Sequence, residues 1–112
     1  PQLLMLDLLF GARVSNTASF VVVSVLWSRA RNSDSIQGRL RTLYERIFDL
    51  LIDGMKAERY GASRSERRDT AFCLVSLAYG RASFGEINLS SKKKSAPRLA
   101  ANTLLASIKS QT

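Results

Sequence analysis

Glu45, Asp49 and Asp53 stand four residues apart, so on a helix they form one ladder of carboxylates. Such a ladder could serve metal binding or acid–base work. Di-iron helical bundles, however, combine their glutamates with Glu-x-x-His pairs, and the chain has no histidine. The expectation is therefore a solvated helix face. The absence of histidine also removes the commonest general base and the usual zinc-site nitrogen ligand. Cys73 is the single thiol and sits between Phe72 and Leu74, where a buried, inert side chain is expected. Gly80 and Gly85 have neither the spacing nor the strand–loop–helix context of a phosphate loop. No catalytic residue, metal site or cofactor is expected, and an enzyme is the least favoured class.

Aromatic side chains offer a second chemistry. Phe20, Trp27, Tyr44, Phe48, Phe72 and Tyr79 are spread over three apolar segments. Together they could line a ligand cavity of apolar rings with a few polar tips. The plain alternative is ordinary core. Phe20, Trp27, Tyr44, Phe48 and Phe72 are taken as the ligand-binding set. Trp27 and Tyr44 lead it, because each carries a polar atom that needs a partner when buried.

These residues must be positioned by helices. The chain has 112 residues, the size of one domain, and 46% of them are hydrophobic, which excludes a disordered chain. Proline occurs twice and glycine six times, too seldom for a sandwich or barrel. The net charge of +8 could address nucleic acid, an anionic membrane or an acidic ligand. The arginines are scattered and only Lys92-Lys93-Lys94 form a run, so a solvated surface with one basic loop is expected. No membrane partner is expected, and the lone cysteine suits a reducing cytoplasm.

Periodicity predicts five helices. The first covers 1–12 and ends near Gly11. The second follows a Ser15-Asn16-Thr17 cap to about Arg31, and its Val21-Val22-Val23 run is read as helix because no partner strands are near. The third spans 34–59, with Ile36, Leu40, Leu43, Ile47, Leu50, Leu51 and Gly54 as its apolar face, widened by Tyr44, Phe48 and Met55. Arg41 and Glu45 are expected to pair along its wet side, and Gly61 to stop it. The fourth spans 65–84 behind a Ser65 cap. Ala71, Leu74, Val75, Ala78 and Ala82 make one stripe, while Phe72, Cys73, Leu77, Gly80 and Phe84 cover much of the rest, so it has a surplus face. The fifth spans 95–110, with Pro97 in its first turn and a small-residue edge of Ala100, Thr103 and Ser107.

The segment order resembles the C-terminal half of TetR/AcrR-family regulators. Trp27-Ser28-Arg29-Ala30-Arg31-Asn32-Ser33-Asp34 is similar to that family's tryptophan helix and the turn after it. Residues 39–46 resemble the start of the next long helix, and 53–61 its end. Asp69-Thr70-Ala71 through Leu77-Ala78-Tyr79-Gly80 is similar to the helix that follows. The resemblance implies an all-α, five-helix, effector-binding and dimerisation domain over 1–112. Its last two long helices would form an intersubunit four-helix bundle, with Cys73, Leu77, Gly80, Phe84, Ala101, Leu104 and Ile108 at the dimer interface. It further implies a repressor that is a cytoplasmic homodimer, responds to a small-molecule effector, and reaches operator DNA through an N-terminal helix-turn-helix absent from this chain. The alternatives are a small helical protein-interaction module without sensing, and direct nucleic-acid binding through Lys92–Lys94 and the arginines.

Overall fold

The computed structural model describes residues 25–109, and these are all-α. A helical segment over 25–30 leads into α1 (Asp34–Ala57), α2 (Arg64–Glu86) and α3 (Ala96–Ser107). The expected helix over 1–12, the Ser15–Thr17 cap and Phe20 lie outside the described residues.

Each long helix starts where its backbone donors find a partner. Ser33 caps α1 by accepting from the Ile36 amide at 3.3 Å, and Asp34 adds a carboxylate to the first turn. Ser63, not Ser65, caps α2. Its Oγ accepts from the Glu66 amide at 3.1 Å, and the Glu66 carboxylate accepts from the Ala62 amide at 2.9 Å. This reciprocal pair needs a serine three residues before a glutamate, which Ser63 supplies and Ser65 does not. Ser63→Ala should therefore cost about 1 kcal/mol of stability, seen as a lower urea midpoint with unchanged helicity. An unchanged midpoint would refute the cap.

α1 ends in a Schellman turn. The Tyr60 amide donates to Met55 at 2.7 Å and the Arg59 amide to Lys56 at 3.1 Å, with Arg59 left-handed at φ 63°. The residue that stops α1 is thus Arg59, not Gly61. Gly61 serves the next bend at φ 83°. Its N–H donates to the Ile108 carbonyl at 2.7 Å, and its own carbonyl accepts from Arg67 Nη1 at 3.0 Å. A Cβ on Gly61 would stand 2.6 Å from Arg67 Cγ. Gly61→Ala is expected to destabilise by at least about 1–2 kcal/mol, the backbone cost alone. A thermal midpoint equal to that of the parent would contradict this.

α2 is the middle helix, packed on α1 and on α3. Phe48, Leu51, Ile52 and Met55 of α1 meet Ala71 and Leu74 of α2 and Ala101 and Leu105 of α3 in one core, closed at its end by Tyr60. The core face of α1 agrees with most of the predicted one: Leu40, Phe48, Leu51 and Met55 are buried, and Tyr44 and Ile47 pack on the core. Leu50, 73% exposed, and Leu43, also exposed, depart from it, and Ile52 is buried in their stead. The buried face therefore lies toward the Phe48 side of the predicted one. The reason is volume and company: Phe48, Ile52 and Met55 fill the space against α2, and the charged flank beside them finds partners on it. Arg64 pairs with Asp49 at 2.9 Å and Arg68 with Glu45. Glu45 and Asp49 thus lie on a solvated face, as expected, and reach across it to α2, with Glu45 held by Arg68 instead of Arg41.

The tail of the chain returns to this end of the core. Lys109 forms an isolated antiparallel bridge with Tyr60. Its Nζ lies 4.3 Å from the Tyr60 ring centroid and donates to the Glu58 carbonyl at 3.2 Å.

Candidate functional site

The core stripe of α2 decides what its other side presents. With Ala71 and Leu74 fully buried and Val75 and Ala78 packed on the core, helical spacing sends 72, 73, 76 and 80 outward. Phe72 is 57% exposed and Phe84 56%. Cys73 is exposed, which corrects the expectation of a buried thiol, since it stands off the buried stripe although Leu74 beside it is in the core. Ser76 is exposed, and its hydroxyl donates to the Phe72 carbonyl at 2.8 Å, so it asks nothing of a partner. Gly80 has open space where a Cβ would stand. The result is a face of small side chains flanked by two phenylalanine rings.

α3 presents a similar face. Ala101 and Leu105 point into the core, leaving Leu99, Ala100, Thr103 and Ser107 exposed. Thr103 and Ser107 donate their hydroxyls to the Leu99 and Leu104 carbonyls at 3.0 and 2.6 Å. Both final helices thus carry outer surfaces that are small, internally satisfied and apolar in part. Such surfaces allow close helix–helix approach.

The expected interface residues divide between the two sides. Cys73, Gly80 and Phe84 lie on the outer side of α2. Ala101 has no exposed surface, so it belongs to the chain's own core and cannot meet a partner. Leu77, Leu104 and Ile108 are partly buried and pack against that core. A charge placed at Leu77 or Leu104 would therefore strike the fold as well as any interface.

The aromatic residues form two groups rather than one. Trp27 Nε1 donates to the Tyr44 hydroxyl at 3.3 Å, with ring centroids 5.9 Å apart. Tyr79 lies 5.6 Å from Trp27 on another side. This group fixes the segment 25–30 to α1 and α2. Phe48 is buried and meets Phe72 at 6.3 Å, with the Arg68 guanidinium 5.4 Å from the Phe48 ring. At these separations the rings touch each other rather than frame a space.

A shallow depression of about 440 Å³ opens near the start of α2, between Ser63, Ser65, Glu66, Asp69, Thr70, Cys73 and Leu104. Thr70 is buried there and its hydroxyl donates to the Glu66 carbonyl at 2.9 Å. The lining mixes polar groups with apolar surface, and no ring of the aromatic set enters it. Among the described residues no group of three or more carboxylate, thiol or imidazole side chains could hold a metal, and no helix is long and apolar enough to cross a membrane.

Comparison with known proteins finds no matching family model, no matching curated protein and no matching solved structure.

Proposed function

We propose that this chain is the effector-sensing and dimerisation domain of a TetR-type transcriptional repressor. In this reading it is a cytoplasmic homodimer, its helical region binds a small-molecule effector, and a helix-turn-helix elsewhere in the intact protein binds operator DNA. The fold would be a five-helix bundle whose last two helices pair across the dimer axis. The observation that supports it best is the pair of uncovered, small-residue outer faces on α2 and α3. Two such faces brought together by a two-fold axis make a four-helix bundle.

The mechanism is a population shift. An effector that binds one arrangement of the dimer more tightly biases it toward that arrangement. Recognition elements must stand about 34 Å apart to reach successive major grooves. A ligand that changes that spacing releases the operator. Sedimentation velocity tests the structural half: the chain should run as a dimer at micromolar concentration. A monomer at that concentration would overturn the reading.

A second reading, a helical interaction module without sensing, is favoured by the split of the aromatic residues into two groups. A thermal-shift screen of hydrophobic and cationic small molecules separates the two. A stabilising compound whose effect is lost in Tyr44→Ala supports sensing, and a dimer that answers to none supports the module.

A further inference from the structure

The connection between α2 and α3 has an unusual surface. Phe84, Ile87 and Leu89 are 56%, 71% and 52% exposed. They are held together by a second Schellman turn, in which the Leu89 amide donates to the Phe84 carbonyl at 2.9 Å and the Asn88 amide to Gly85 at 3.0 Å, with Asn88 left-handed at φ 58°. That geometry sets the residue after the turn beside the last turn of the helix. Three residues further on stand Lys92, Lys93 and Lys94, all exposed, as is every residue from 87 to 95. The loop is shaped by its own bonds: Ser91 Oγ donates to the Lys93 carbonyl at 2.6 Å, and the Ala96 amide to the same carbonyl at 3.0 Å.

The charge along this segment is mostly of one sign. After Glu86, which adjoins Ile87, no carboxylate follows, whereas Lys92, Lys93, Lys94 and Arg98 do. The first turn of α3 likewise carries no acidic residue. A protruding tip thus joins three large apolar side chains to three lysines.

We infer that this tip docks on the surface of an anionic phospholipid bilayer, with Phe84, Ile87 and Leu89 entering the headgroup–acyl boundary and Lys92–Lys94 contacting the headgroups. Charge selects an anionic partner. The apolar trio selects among anionic partners. Nucleic-acid phosphates give Ile87 and Leu89 nothing to enter, and a protein would need a pocket to receive a convex tip. A bilayer interface accepts both parts at once. Either part alone is a weak anchor, and together they give reversible attachment. No span is involved, and the docking departs from the expectation that a membrane is no partner. It shares Phe84 with the proposed dimer face, while Ile87, Leu89 and the three lysines stand outside that face.

The test is co-sedimentation of the full chain with large unilamellar vesicles. Vesicles of phosphatidylcholine with about one third phosphatidylserine should bind it, and pure phosphatidylcholine vesicles should not. Lys92→Gln, Lys93→Gln and Lys94→Gln combined should weaken binding by about a hundredfold, given about fivefold per lysine near an anionic surface. Ile87→Ser with Leu89→Ser should weaken it at least tenfold at unchanged charge, and circular dichroism should report unchanged helicity for both variants. Failure to bind the anionic vesicles overturns the inference. So does binding that survives the lysine changes or ignores the apolar ones. A random DNA duplex that binds parent and Ile87→Ser, Leu89→Ser chains equally, with vesicles left unbound, assigns the tip to nucleic-acid phosphate instead.

Discussion

Leu74→Ala is expected to remove about 2–5 kcal/mol of stability, read as a large fall in the urea midpoint at unchanged slope. Leu74 has no exposed surface and stands on the helix that touches both others, so its side chain belongs to the α1–α2 and α2–α3 contacts together. Truncation removes transfer free energy and leaves a cavity that three packed helices can only partly collapse. A small domain has about 5–15 kcal/mol in total, so the loss is a large fraction of what holds it folded. Leu50→Ala is the matched control. The same atoms leave a side chain that is 73% exposed, and the change should stay within about 0.5 kcal/mol. Equal effects at both positions would mean that the buried face of α1 and its packing on α2 are wrongly placed.

Gly80→Glu is expected to turn dimer into monomer while leaving the monomer at least as stable. The two effects have opposite causes. Gly80 lies inside α2 with open space around its missing Cβ, so a side chain fits the single chain without a clash. Replacing a helix-interior glycine by a good helix former gains up to about 1 kcal/mol. Across a closely packed helix pair the same carboxylate would be buried unpaired, at a cost of several kcal/mol. Sedimentation should therefore show monomer, and thermal melting at dilution should show a midpoint no lower than the parent's. Phe72→Glu, on the same side of α2, should also give monomer. If both variants remain dimeric, the partner sits on another surface and the proposed bundle is lost.

The elements were legible in the sequence because they depend on near neighbours. Caps, turn residues and 3.6-residue spacing placed the three long helices within two or three residues of their observed ends. The early Pro97 of α3 was read from local chemistry alone. What depended on distant neighbours was read less well. The roll of α1 about its axis was read only in part: Leu43 and Leu50 were placed inside and Ile52 was left out, because leucines stand on both sides of the face that Leu40, Phe48, Leu51 and Met55 bury. The spacing of Ala71, Leu74, Val75 and Ala78 already put Cys73 outside the stripe. Its apolar neighbours in sequence argued the other way and prevailed. Ala101 was placed at the dimer interface by the resemblance, and its small size suits a tight core contact equally well. The aromatic set was read by residue type, and type cannot say that Phe48 turns inward while Trp27 and Tyr44 tie the segment 25–30 to α1. Tyr79, the third ring of that group, was visible in the sequence but was left out of the ligand-binding set. Of the exposed trio, Phe84 was assigned to the dimer interface, and Ile87 and Leu89 were not singled out, since neither helical nor alternating spacing marks them.

The clasp between the tail and the first turn bears on the order in which the chain assembles. α1 and α2 meet across the short connection 58–63, so their contacts are near in sequence and form early. The Lys109–Glu58 bond joins groups 51 residues apart, and the entropy of closing that loop falls on the final step. α3 accordingly arrives on a helical hairpin that already exists, and the tail locks last. Native-state opening runs the other way: the tail releases first, and the Tyr60 ring beneath Lys109 is the first part of the core to meet water. Amide exchange should thus be fastest at the Gly61–Ile108 bond and slowest around Met55 and Leu74. A contact between distant parts of the chain is thus also an early one to yield.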